Sequence, residues 1–143
     1  MIPISSELDS ETRRLIESEI GRLVTHPPAD ARSVIIGRLP KLVKALKANP
    51  SPFRSRLVLA AKSFFDIYAE TLKRGVASGR TAYSAKCKIA IAALYYFCEV
   101  QDVIPDYDPV SGFDDDAYAF NCCVAKMKEL DTAWYRRVTK ALE

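Results

Sequence analysis

Residues 89–98 (Ile-Ala-Ile-Ala-Ala-Leu-Tyr-Tyr-Phe-Cys) carry no charged side chain, and this run limits the architectures open to the chain more than any other feature. It is about half the length that a bilayer-spanning helix requires. Wound as a helix it is apolar on every side, so it has no face to offer to water. Such a helix is stable only when neighbours enclose it, which places it in the middle of a bundle. The helical stretch around it is expected over about residues 82–100, with Thr81 as its cap.

Elsewhere the apolar residues recur with helical period, and no segment alternates with period two for long enough to argue a strand. A first helix is expected from about Asp9 to Thr25, with Asp9 or Ser10 accepting the early N–H bonds. Leu15, Ile16, Ile20, Leu23 and Val24 form its inner stripe. Pro27 and Pro28 end it, and the chain's one histidine, His26, decorates its C-terminus, where a helix favours positive charge. A second helix spans about Ala29 to Ala48 with Val34, Ile35, Leu39, Leu42, Val43 and Leu46 inward. Pro40 inside it is expected to kink or break it, because proline offers no N–H and crowds the preceding turn.

Ser51 and Pro52 read as the cap and first residue of a third helix, which runs to about Arg74 and stops at Gly75. Asp114, Asp115 and Asp116 open a fifth helix that reaches about Leu130, and a last short helix carries Trp134, Tyr135, Val138 and Leu142. No internal repeat, low-complexity tract or interdomain linker interrupts the pattern. The expected fold is all-α, a single compact helical bundle of five to six helices over residues 1–143, with the apolar helix at about 82–100 in its centre.

At 49% hydrophobic and 27% charged residues, the 143-residue chain can bury a core without covalent staples. Its four cysteines do not form a disulfide framework. Cys87 and Cys98, eleven residues apart on one helix, lie roughly 16 Å from each other, beyond disulfide reach. Adjacent Cys122 and Cys123 are equally poor partners, and one histidine with no C-x-x-C speaks against zinc. Free thiols, the lack of a secretion signal at the start and the lack of a membrane span together point to the cytoplasm.

Charge is distributed unevenly. Residues 32–88 hold thirteen Lys/Arg against two acids, leaving +11, whereas residues 99–131 hold nine Asp/Glu against two lysines, leaving −7. Such a division can hold a fold together, bind a polyanion, or bind a cation at the acidic end. On the basic side, Arg38, Lys41, Lys44 and Lys47 occupy the second helix opposite its apolar stripe, with Arg54 and Arg56 close behind. That set is a candidate face for an anionic partner. Phe53, Phe64 and Phe65 nearby fall at core spacing instead of interleaving with the bases, so nucleic acid is a poorer candidate than a protein or a membrane surface.

On the acidic side, Asp102, Asp106, Asp115 and Asp116 flank a turn made by Pro105, Pro109 and Gly112. A tight turn between two helices can bring these carboxylates together, and an all-oxygen cluster suits Mg²⁺ or Ca²⁺. With an activated water such a site could hydrolyse a phosphoester. The EF-hand pattern fails, however: counting from Asp106, the sixth residue is Ser111 and the twelfth is Ala117. The same residues also suit roles that need no metal, since carboxylates stabilise a helix start and Asp106 before Tyr-Asp-Pro suits an Asx turn. Asp102 can pair with Arg80, Lys86 or Lys88. No cofactor is expected, with Mg²⁺ or Ca²⁺ as the alternative.

Tyr96, Asp102, Ile104, Pro105, Asp106, Pro109, Val110, Gly112, Asp115 and Asp116 fall in the order and spacing of a known motif. Over roughly residues 85–120 the chain resembles the YkvA-like family, a bacterial helical domain of unknown function. Val100 stands where that family commonly has proline, and Asp108 occupies a usually apolar position. The resemblance implies a helical fold and often a membrane-associated setting, and it implies no established reaction. No Gly-x-Ser-x-Gly, P-loop or dinucleotide fingerprint is present, and no catalytic residue is assigned. The reading that results is a non-enzymatic helical interaction or accessory module. It would act through a protein partner or the membrane surface, with a divalent-metal-dependent phosphoesterase using the Asp102–Asp116 carboxylates as the alternative.

Overall fold

Four of the six described helices start where a side-chain oxygen accepts one of the first free N–H groups. The computed structural model describes residues 1–4, 8–73, 83–99 and 113–143. Asp9 accepts from the Thr12 N–H at 2.7 Å and opens α1 (Ser10–Thr25). Ser51 accepts from Arg54 N–H at 3.1 Å and opens α3 (Pro52–Lys73), which follows α2 (Ala31–Ala48). Ser84 accepts from Cys87 N–H at 3.2 Å and opens α4 (Ala85–Cys98). Asp131 ends α5 (Asp114–Leu130) and, by accepting from Trp134 N–H at 3.1 Å, starts α6 (Thr132–Ala141). No strand occurs among the described residues.

Ten of the fourteen residues of α4 are buried, and the exceptions cluster at its first turn and at Tyr95. It packs against α1, α2, α3 and α5, while α6 closes the outside against α5 and α3. Ala90, Ala92 and Ala93 are buried to within 1% on α4 and leave room for bulky partners from the ring around it. The Phe97 ring lies 5.0 Å from Phe120 of α5, Phe120 lies 6.0 Å from Phe64 of α3, and Phe64 lies 5.0 Å from Trp134 of α6. That chain of rings ties four helices together at spacings where aromatic pairs attract. The N-terminal strap is anchored as well: Ile2 N–H donates to Asn121 Oδ1 at 2.8 Å and Asn121 Nδ2 donates to the Ile2 carbonyl at 3.0 Å.

The all-α bundle and its apolar centre are therefore as expected, with three local corrections. The cap of α4 is Ser84 and not Thr81, so the helix is shorter at its start than the expected 82–100. Pro40 does not break α2, which runs unbroken from Ala31 to Ala48. The proline sits on an exposed stripe, where the Ile36 carbonyl that loses its donor can be solvated. Leu15 leaves the inner stripe of α1 and is 48% exposed, because Ile16, Ile20 and Leu23 already fill the face toward α4.

All four cysteines are free thiols. Burial pushes the Cys122 thiol up to about 11 and the fully enclosed Cys123 higher still, which keeps both protonated and unreactive at neutral pH. No described helix is long and apolar enough to cross a membrane.

Gly21 and Gly37 lie inside α1 and α2, and a Cβ added at either would meet nothing within 4 Å. Gly21→Ala and Gly37→Ala are each expected to stabilise the protein by about 0.5–1 kcal/mol, read as a raised midpoint in urea unfolding. A loss of stability at either position would contradict the open helical surroundings described here.

Candidate functional site

Two regions carry the residues singled out by charge: the junction of α4 with α5, and the outer edge of α2 with α3. At the junction, Asp114, Asp115 and Asp116 form the first turn of α5, where free N–H groups and the helix dipole favour negative charge. They do not cap the helix. Phe113 holds the cap position and makes no side-chain cap bond. All three aspartates are enclosed, at 1%, 0% and 1% exposure. The Tyr96 hydroxyl of α4 donates to Asp115 Oδ2 at 3.2 Å inside this enclosure.

Asp102, Asp106, Pro105, Pro109 and Gly112 lie outside the described residues, so the expected convergence of the four carboxylates falls there too. Among the described residues, no three His, Cys, Asp or Glu side chains come together as a metal site would require. Of the bases offered as partners for Asp102, Lys86 binds Asp131 Oδ2 at 2.9 Å. That contact, followed by the Trp134 N–H, holds the Asp131 carboxyl below the usual carboxylate range. Tyr95, one residue before Tyr96, donates to Asp30 Oδ1 at 3.1 Å at the start of α2. Burial, then its bonds to Asp30 and Glu99, push its phenol up to about 12.

The second region splits the six bases of the expected anionic-partner face into two groups. Arg38 donates to the Cys98 carbonyl at 3.2 Å and stands 3.7 Å from Glu99, stitching α2 to the end of α4. Arg54 donates to the Asn49 carbonyl at 2.7 Å across the α2–α3 turn. Arg56 donates to the Leu142 carbonyl at 3.0 Å and the Glu143 carbonyl at 3.3 Å, satisfying the chain end after α6. Lys41, Lys44 and Lys47 are exposed and meet no carboxylate at ion-pair distance among the described residues.

Helix geometry explains the division. Residues three apart are rotated by about 60°, so Arg38, Lys41, Lys44 and Lys47 fan around α2 instead of sharing one line. Arg38, at the start of the fan, is near the core-facing stripe of Ile35, Leu39 and Leu46, which is why it reaches α4. Lys47, at the end, comes round toward α3, where the Lys62 ammonium beside it lowers its affinity for a proton.

Between these helices runs a groove of about 230 Å³ lined by Ile36, Pro40 and Val43 of α2 and by Lys62 and Phe65 of α3. It was not anticipated from the sequence. Its signal is the i, i+4, i+7, i+11 series Ile36, Pro40, Val43 and Lys47, a second stripe beside the core stripe of α2. Ile36 in it is 47% exposed. No family model, curated protein or solved structure matches the chain.

Removing the Tyr96 hydroxyl withdraws a hydrogen bond from an enclosed carboxylate. Tyr96→Phe is therefore expected to destabilise the protein by about 1–3 kcal/mol with its helical content intact. An unchanged melting temperature would show that the Tyr96–Asp115 contact carries no weight in the folded protein.

Proposed function

We propose that the chain is a non-enzymatic interaction module, an accessory or regulatory component of the cytoplasm that engages an anionic partner protein through the outer edge of α2 and α3. What carries this reading is the contrast within the basic set. The three arginines bind carbonyls that join one element to another, whereas Lys41, Lys44 and Lys47 are exposed and meet no carboxylate at ion-pair distance among the described residues. Nearby, Ile36 exposes a large apolar side chain beside the same edge. Charged rim and apolar centre are the usual ingredients of a protein-binding patch.

The phosphoesterase reading has less support. Two of its four carboxylates, Asp115 and Asp116, are enclosed at 0% and 1% exposure, and Asp115 is committed to Tyr96. A hydrolytic site needs its metal-bound water and its substrate in the same open space. The likeness of residues 85–120 to the YkvA-like family fits the module reading, since no reaction is attached to that family. Its frequent membrane setting makes an anionic bilayer the competing occupant of the same lysines.

The test combines photo-cross-linking in the source cells with a hydrolysis assay. Changing Lys41, Lys44 and Lys47 together to glutamate is expected to remove at least nine-tenths (about 1.4 kcal/mol) of the cross-linked partner protein without lowering the melting temperature. Cross-linking that survives charge reversal would contradict the reading. So would Mn²⁺-dependent hydrolysis of bis(p-nitrophenyl) phosphate that Asp115→Asn abolishes.

A further inference from the structure

The groove between α2 and α3 has a polarity along its length. Ile36, Pro40, Val43 and Phe65 make one end apolar. Lys62 enters its wall further along, and one turn beyond Val43 on α2 Lys47 borders a separate, smaller depression of about 170 Å³ that reaches Pro50 and Arg54. From Ile36 to Lys47 the α2 backbone advances roughly 16 Å, about three helical turns.

Lys62 lines the groove and Lys47 lines the depression next along the same two helices, and the Lys62 ammonium beside Lys47 lowers the affinity of Lys47 for a proton. Like charges brought together at a surface are destabilising by themselves, and a single carboxylate placed between them would relieve the repulsion. Arg54 does not serve this purpose, because it is bound to the Asn49 carbonyl. Two converging cations call for a localised anionic group, whereas the charge of a bilayer surface is spread over many headgroups. The concave, apolar end calls for side chains that enter it, as in the docking of an amphipathic helix into a groove.

We infer that the α2–α3 groove receives an acidic amphipathic helix of a partner protein, with apolar side chains seated against Ile36, Val43 and Phe65 and a carboxylate held between Lys47 and Lys62. This rests on the module reading above and gives its partner a chemistry. The occupant is about three turns long, with apolar residues one turn apart at one end and Asp or Glu about two turns further on. Lys41 and Lys44, off the groove but on the exposed side of α2, add a positive field that speeds the approach of such a helix.

The proposal is tested with a displayed library of helix-forming peptides of about twelve residues, selected on the full chain in moderate salt. Enriched peptides are expected to carry the apolar pair and the displaced acid. Their affinity is expected to fall at least tenfold for Lys47→Glu or Lys62→Glu and for Ile36→Ser, and to be kept by Lys47→Arg. Unchanged melting temperatures identify variants that still fold. The inference is overturned if no acidic helix is enriched, if the enriched peptides bind the glutamate variants equally well, or if phosphatidylserine vesicles bind through Lys47 and Lys62 and displace the peptides. A failed selection alongside partner cross-linking that still depends on Lys41, Lys44 and Lys47 would sink the helix-in-groove inference and leave the module reading standing.

Discussion

Enclosing α4 is the demand that places every other helix. A fourteen-residue helix with ten buried positions has no side to leave open, so α1, α2, α3 and α5 must all lie against it and α6 must close what they leave. The driving force is the removal of apolar surface from water, about 25 cal/mol per Å². Its small residues let the surrounding rings pack, and Phe97 hands the core on to Phe120, Phe64 and Trp134. Among the described residues, the buried charged side chains, Asp114, Asp115 and Asp116, lie at a helix end.

The start of α5 is such an end. Three successive aspartates are enclosed there against α4, where the helix dipole and the Tyr96 hydroxyl favour their presence. Carboxylates are rarely buried without such support. Asp115 and Asp116, two of the four carboxylates that invite a metal when read as an acidic run, are enclosed where α5 starts beside α4. The surface proposed above to bind a partner lies elsewhere on the bundle, along the edge where α2 meets α3.

How much of this was legible varies with the kind of signal. The bundle was legible because period and apolarity survive without context: residues 89–98 announce a central helix, and Asp9, Ser51 and Pro52 announce two helix starts. The start of α4 was missed because Thr81 and Ser84 are both good caps, and which one serves depends on where the helix must begin to meet its neighbours. Pro40 was expected to do more damage than it does, since the exposure of its side of α2 is a tertiary fact. The basic face was legible as composition but not as geometry. A sequence lists Arg38, Arg54 and Arg56 beside Lys41, Lys44 and Lys47, and only the fold shows that the arginines reach carbonyls at helix and chain ends. The groove was illegible because Lys62 and Phe65 come to it from another helix.

Residue-resolved amide hydrogen exchange tests the central claim that the bundle is organised around α4. Amides from Ile89 to Phe97 are expected to exchange only through global unfolding, with the same free energy as the equilibrium denaturation of the whole chain, while those of α2 near Pro40 open at lower cost. Exchange in α4 that is as fast as in α2 or α6, or that proceeds by local opening, would contradict the account.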